Sequence, residues 1–299
     1  MKRAIIALVL CVAATLVGCK SSTSPDDMKL KQMTLLSNLE FPKGMWVHEG
    51  TIYLTETAGR NTTFGGKVQL DEYDIASGQL TVVKHDLDNC DAVVVASDGM
   101  VYLCSPHGGV PGDLGTVTVF NPIDTTETHV TSVSIAAEDM FITSGDDIYL
   151  IGPSDSPDAT SLLRLPRGSY SNYSVVANDL LHAWCVTVAG GYLFFSDQYM
   201  IQRIVPAPQG GPLTFEPVLR IAVNSLSPSP TNVYYGDYDT GTVGRFDLAN
   251  AHQVTLLSGL HSPQTVRWSA SNNTLYFLEA GTEANQYKDG TLKAITNVR

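Results

Sequence analysis

A short apolar run with an aromatic at its centre recurs six times along the chain: Ile52-Tyr53-Leu54, Val101-Tyr102-Leu103, Ile148-Tyr149-Leu150, Leu193-Phe194-Phe195, Val233-Tyr234-Tyr235 and Leu275-Tyr276-Phe277. The central aromatics lie 49, 47, 45, 40 and 42 residues apart, which is the period of a small sheet and too long for helical repeats of about 33 to 34 residues. Each run follows a second apolar stretch and a tight turn, as in Met45-Trp46-Val47 before His48-Glu49-Gly50, or Val93-Val94-Val95 before Ser97-Asp98-Gly99. These pairs predict β-hairpins. A third strand follows, often opening at glycine (Gly66, Gly115, Gly241, Gly290), and a fourth comes after turns such as Asp74-Ile75-Ala76-Ser77-Gly78. The repeating unit is a four-stranded antiparallel sheet.

The two ends of the chain complete each other. Met33-Thr34-Leu35-Leu36-Ser37-Asn38-Leu39 nearly repeats Val254-Thr255-Leu256-Leu257-Ser258-Gly259-Leu260, the fourth strand of the fifth unit, while the sixth unit runs out after its third strand at Arg299. The N-terminal segment is therefore predicted to supply the missing outer strand of the last sheet, so that the ring closes and only short edges remain. The pattern predicts an all-β, six-bladed β-propeller over residues 31–299.

What precedes residue 31 follows other rules. Lys2 and Arg3 lead an apolar stretch too short for an ordinary membrane span, and Leu16-Val17-Gly18-Cys19 comes next. This run resembles a bacterial lipobox. The resemblance implies a signal peptide over residues 1–18, lipidation of Cys19 and a membrane anchor there, with 19–30 as a flexible tether. Lys20, where an Asp would retain the protein at the inner membrane, implies the outer membrane and a periplasmic or surface-facing domain. Cys90, Cys104 and Cys185 then remain in an oxidising compartment. Cys90 and Cys104 flank a predicted hairpin, and either a bridge or two small buried thiols fits their spacing.

Composition adds exclusions. With 43% hydrophobic and 16% charged residues the chain has a core to bury, which excludes collagen-like, coiled-coil and disordered polymers. Its 30 acidic residues outnumber 18 basic ones for a net charge of −12, and loss of Lys2 and Arg3 with the signal brings this near −14. A nucleic acid is excluded as a partner on these grounds.

The patterns Pro42-Lys43-Gly44-Met45 with Ile52-Tyr53-Leu54-Thr55-Glu56, Leu193-Phe194-Phe195-Ser196-Asp197 and Val233-Tyr234-Tyr235-Gly236-Asp237 resemble the NHL and YWTD types of TolB-like six-bladed propellers over residues 33–299. The Gly-His and Trp-Asp signatures of WD40 blades are absent. Such a resemblance specifies fold strongly and function weakly.

Antiparallel geometry puts the start of every inner strand on the face that also carries the second-to-third loops. Lys43, Asp91, Glu138, Trp184, Asn224 and Gln264 are predicted to ring the channel there, as candidate ligand-binding residues. Trp184 offers a stacking platform for a sugar or aromatic ligand. The loops of blades one, two, three and six (57–65, 106–114, 153–160 and 280–289) are long, whereas blades four and five turn quickly, so one face is walled.

A more distant resemblance, to regucalcin and gluconolactonase, implies a divalent cation such as Ca2+ in the channel. Glu40-Phe41-Pro42 matches one piece of that motif, and Glu40, Asp91, Glu138 and Asn224 are the candidate metal ligands, although the expected Asp falls elsewhere. His182 and His261 are candidate acid–base residues. Glu56, Asp197, Asp237 and Glu279 close their second strands and are expected to accept backbone N–H bonds in the turns that follow. No His-x-x-x-His or Gly-x-Ser-x-Gly motif occurs. The leading reading is an anchored binding module for a small molecule or protein that needs no cofactor; the alternative is a metal-dependent lactonase or esterase.

Overall fold

The computed structural model describes residues 30–57, 67–105, 115–154, 159–205 and 213–298. The signal, Cys19 and the tether lie outside these, as do most of the long loops of blades one and two and part of that of blade three. Six four-stranded sheets stand around one axis. Blade one is Met45–His48, Thr51–Thr57, Lys67–Asp74 and Gln79–Asp88 (β2 to β5); blade two is Ala92–Val95, Val101–Ser105, Gly115–Phe120 and Glu127–Val133 (β6 to β9). Blade three is Asp139–Ile142, Ile148–Pro153, Ala159–Leu165 and Ser174–Leu181 (β10 to β13). Blade four is Cys185–Ala189, Tyr192–Ser196, Ile201–Val205 and Thr214–Leu219 (β14 to β17), and blade five is Ser225–Pro228, Asn232–Asp237, Thr242–Asp247 and Gln253–Leu257 (β18 to β21). Blade six is Pro263–Ser269, Thr274–Glu279 and Gly290–Thr296 (β22 to β24), completed by Lys31–Leu39 (β1).

The closure predicted from the repeated motif is present: β1 pairs antiparallel with β24, Met33 opposite Ala294 and Ser37 opposite Thr291. Asn38, at φ 63°, and Gly259, at φ 73°, hold the same position in the repeated motif and the same left-handed backbone. Both residue types tolerate that region. Asp86 and Asp179 do likewise, and the leucine after each of Asn38, Asp86 and Asp179 turns inward and is buried.

Burial falls from the axis outward. The innermost strands β6 and β10 are buried at every position, whereas the outer strands β17 and β21 have no buried position. This is why inner strands read as unbroken apolar runs and outer ones as mixed. Every pairing of third with fourth strand carries a register shift. Bulges at that position twist the outer edge and weaken it as a template for further strands. The core is divided into six apolar layers, one between each pair of neighbouring blades, the repeated aromatics among them: Tyr53 sits between blades one and two, Tyr234 between five and six.

The glycines that open third strands have a packing reason. A Cβ on Gly115 would lie 2.2 Å from the Ile135 carbonyl, and one on Gly241, which also has φ 63°, would lie 2.4 Å from that of Leu260. The segment entering the next blade crosses directly over them. Cys90, Cys104 and Cys185 are buried free thiols. Of the two fits to their spacing, the structure has the small buried side chains, and burial pushes the Cys90 thiol up to about 12.

Candidate functional site

The residues preceding four inner strands make one equivalent hydrogen bond. The backbone N–H groups of Lys43, Glu138, Trp184 and Asn224 donate to the carbonyls of Thr55, Ile151, Ser196 and Gly236, at 2.8 to 3.0 Å, and so hang each residue from the end of its own hairpin. Four of the six predicted positions are thereby held equivalently at the starts of their inner strands, on the same face as the short turns of blades four and five and the 280–289 loop of blade six.

Within that ring three side chains from consecutive blades interact. Lys43 Nζ donates to Asp91 Oδ1 at 2.5 Å, and both groups are largely buried. Glu138 is the third. Burial, then the negative charge of Asp91, pushes its carboxyl up to about 7, against the pull of the Lys43 ammonium. Burial also raises Asp91, and Lys43 opposes it. The result is a desolvated carboxyl able to gain or lose a proton near neutrality, beside a fixed ammonium.

The remaining ring positions differ. Trp184 is 41% exposed, so it presents a face to solvent instead of packing between blades. Asn224 is exposed, and its Oδ1 accepts the Tyr238 N–H at 3.1 Å, shaping the blade-five turn. Gln264 is half-buried in β22. Glu40 does not precede the ring but lies in the segment leading into it, where its N–H donates to Glu56 Oε2 at 2.8 Å. Among the described residues no group of three or more His, Cys, Asp and Glu is placed to hold a metal ion. The three candidate carboxylates, Glu40, Asp91 and Glu138, thus form no such group; Lys43 already neutralises Asp91, and Asn224 Oδ1 is engaged in its own turn. His182 is half-buried in a left-handed backbone (φ 45°), and His261 is exposed with its N–H bonded to Glu279 Oε1.

The carboxylates that close second strands divide into two kinds. Asp197 and Asp237 accept backbone N–H bonds from their following turns, as expected: Tyr199 and Met200 for the first, Asp239 and Thr240 for the second. Glu56 and Glu279 reach backward instead. They accept the N–H of Glu40 and of His261, in the segments that enter their own blades. The longer side chain spans to the incoming segment, where Asp reaches only its own turn.

A second depression on this face lies between blades five and six, with a volume of about 360 Å3. Tyr238, Asp239 and Thr240 form one side, His261 the back, and Glu283 and Tyr287 the other. Asp289 holds the blade-six loop in shape. Its carboxylate accepts Thr282 N, Thr282 Oγ1 and Asn285 Nδ2 at 2.6 to 2.8 Å, which lowers its pKa to about 2. Tyr287 stacks edge-on against Phe41, centroids 5.0 Å apart, and its carbonyl accepts the Phe41 N–H at 2.9 Å, which ties the blade-six loop to the segment entering blade one. Tyr238 and Tyr287 thus face one depression with Phe41 behind Tyr287, while Trp184 and Tyr199 of blade four are exposed.

Two charged residues that sequence reasoning missed stand deeper in the channel. Arg267 of β22 donates from Nη2 to Asp139 Oδ1 of β10 at 3.1 Å, a bond between opposite blades. Arg267 also lies over the ring of Trp46, 5.3 Å from its centroid, and Trp46 meets Phe141 edge-on at 5.7 Å. Together these side chains plug the ring. The available signal was a lone arginine inside the apolar strand Pro263–Ser269.

No protein-family model matches the chain, and no curated protein does. Solved structures do match. A gluconolactonase from Xanthomonas campestris aligns with a TM-score of 0.67 at 14% identity, covering 89% of each chain. Regucalcin from Agrobacterium tumefaciens, described as a calcium-binding protein, gives 0.65 at 14% identity over 90% of this chain and 94% of its own. An auxiliary nutrient binding protein from Bacteroides thetaiotaomicron gives 0.63 at 9% identity over 89% and 76%. Identities this low carry the fold and not the chemistry; in fold, the chain is a six-bladed β-propeller of the architecture that gluconolactonase and regucalcin share.

Proposed function

We propose that this protein is an envelope-anchored binding module, held by a lipid on Cys19, that takes a polyhydroxylated, sugar-like ligand on its walled face. The observation that carries the reading is the depression between blades five and six. Its lining supplies carboxylates (Asp239, Glu283) and hydroxyls (Thr240, Tyr238, Tyr287) that pair with ligand hydroxyls, and tyrosine rings that pack on a sugar's apolar face. Phe41, edge-on to Tyr287, and the exposed Trp184 add aromatic surface for further sugar units. The gluconolactonase and the nutrient binding protein among the structural neighbours lend support, since one is tied to glucose metabolism and the other to nutrient capture. The test is isothermal titration with neutral oligosaccharides. Saturable heat, reduced at least tenfold in affinity by Tyr287→Ala, supports the reading; no heat with any oligosaccharide refutes it.

A second reading rests on Glu138. A carboxyl with a pKa of about 7, beside Lys43, has the protonation behaviour of a general acid or base, and the ammonium is placed to stabilise negative charge developing on an ester or lactone oxygen. This keeps the hydrolase alternative on a route that Glu138 and Lys43 can serve directly. Lactone hydrolysis that resists chelator and is lost in Glu138→Gln would establish it. Hydrolysis abolished by chelator would instead favour a Ca2+-type or other divalent-cation mechanism.

A further inference from the structure

Blades one and six finish their second strands with the same clasp. Glu56 of β3 accepts the Glu40 N–H at 2.8 Å and Glu279 of β23 accepts the His261 N–H at 3.1 Å, so each glutamate holds the segment that enters its own blade. The third strands supply equivalent neighbours. Gln69 of β4 lies opposite Glu56 and Thr291 of β24 lies opposite Glu279; two residues further on stand Asp71 and Lys293. Residues two apart on a strand share a face, so each of these side chains stands on the face of its own glutamate. In blade six the charges balance: Lys293 pairs with Glu279, and Thr291 Oγ1 donates to Glu279 Oε2 at 2.6 Å. In blade one a carboxyl occupies the place of that ammonium.

Gln69 Nε2 donates to Glu56 Oε1 at 2.6 Å and to both oxygens of Asp71 at 3.1 Å, and both acids are buried. The two carboxyls also hydrogen-bond each other, which requires one proton between them. Burial, together with the Asp71 charge, pushes Glu56 up to about 7 against the pull of the Glu40 N–H and Gln69. Burial raises Asp71 too, opposed by Gln69, Glu56 and the His85 imidazole of β5. Glu56 follows Leu54 and Asp71 precedes Tyr73 by two residues, so the pair faces the layer between blades six and one, where blade six contributes Tyr276, Leu278, Leu292 and Ala294. Lys67, earlier on the same face of β4, is exposed and donates to the Asp86 carbonyl at 3.4 Å, and Glu40 is the further acid on the entering segment. Among the described residues no Lys or Arg forms an ion pair with either carboxyl. The held segment continues into Phe41, whose N–H donates to the Tyr287 carbonyl, so the clasp also steadies one wall of the depression between blades five and six.

We propose that the Glu56–Asp71 pair is a proton-dependent clasp on the segment that joins the closing strand to blade one, whereas Lys293 makes the blade-six clasp permanent. While the acids share a proton, the Glu40 N–H is held. When the proton leaves, two buried carboxylates repel; Glu56, at the end of β3, turns outward and frees Glu40 and Phe41, and Tyr287 loses its brace. The clasp works in this way whatever the depression binds. Amide hydrogen exchange on the full chain tests it, with the His261 N–H as internal standard. Between pH 6 and pH 9 the protection of the Glu40 N–H, corrected for its intrinsic rate, should fall at least tenfold while that of His261 stays level. Asp71→Lys copies blade six, and Asp71→Asn supplies an amide donor to Glu56 that needs no shared proton. Both should keep Glu40 protection level across the same range, and Asp71→Asn carries the test alone if the lysine variant does not fold. Glu40 protection that tracks His261 at every pH, or that still falls in Asp71→Asn, overturns the proposal.

Discussion

At one mouth of the channel the inner strands of blades one, two and three begin with Lys43, Asp91 and Glu138, side chains that hold charge and a mobile proton; farther along the channel the inner strands of blades one, three and six carry Trp46, Phe141 and Trp268, with a single guanidinium between them. Strand direction makes the difference possible. Every blade sends its inner strand the same way, so residues at strand starts collect on one face and residues at strand ends on the other. The Asp139–Arg267 pair between opposite blades separates the two mouths. A propeller can in this way carry two chemically unrelated surfaces on one axis, each altered without rebuilding the other.

The largest effect should come from breaking the separator. Asp139→Ala leaves Arg267 buried and unpaired, which costs about 3–5 kcal/mol, and at about 2–4 °C per kcal/mol for a domain of this size the melting temperature should fall by about 10 °C. Replacing both partners with apolar residues, as in Asp139→Leu with Arg267→Met, should recover most of that loss in the same thermal melts. If the double variant melts no higher than the single one, the pair is not a self-contained plug.

At the polar mouth, Lys43→Met leaves Asp91 and Glu138 facing each other without a cation. We expect a loss of about 2 kcal/mol at pH 8, intermediate because the group is partly exposed. The loss should shrink as pH falls through about 7, because Glu138 then takes up a proton and no longer repels Asp91. A deficit that does not change with pH would assign Lys43 to packing alone.

Glu138 sharpens the same point by its own titration. Its folded pKa of about 7 lies above the ordinary 4.5, so between these values the folded state holds a proton that the unfolded state has released. Stability is therefore fully present below pH 4.5, falls as pH rises through about 7, and stays lost above it. Glu138→Gln should remove this fall and gain about 1–2 kcal/mol at pH 8, with no gain at pH 4. Glu56, also pushed up to about 7 by burial, leaves a residual slope of the same sign. Denaturant midpoints at the two pH values read the effect.

The smallest effect belongs to Trp184. Because its side chain is exposed, Trp184→Ala should change stability by less than about 0.5 kcal/mol while weakening oligosaccharide binding in calorimetry. A clear loss of stability would return it to a packing role.

How far the sequence reaches follows from the range of the interactions. Blades, hairpins and the β1 closure depend on local alternation and on a repeated seven-residue motif, so they can be read without coordinates. Lys43, Asp91 and Glu138 can be placed together because each occupies the same position in its repeat. Asp139 and Arg267 are 128 residues apart and meet only after the ring has closed to its actual bore, which no periodicity encodes. The depression between blades five and six is likewise made by Tyr238 and Tyr287, residues of unequal loops with no repeat to align them. Glu40 and Asn224 match a motif in spelling, yet the contacts seen for them are local: the Glu40 N–H bonds Glu56, and Asn224 Oδ1 accepts the Tyr238 N–H.

The central claim is that an oligosaccharide is taken on the face where the inner strands begin, and the three tryptophans report on where it binds. Trp184 marks the walled face, Trp46 and Trp268 the opposite mouth. Titrating a neutral oligosaccharide while following the three indole N–H signals should shift Trp184 saturably and leave Trp46 and Trp268 in place. Movement of Trp46 and Trp268 with Trp184 unmoved would contradict the account.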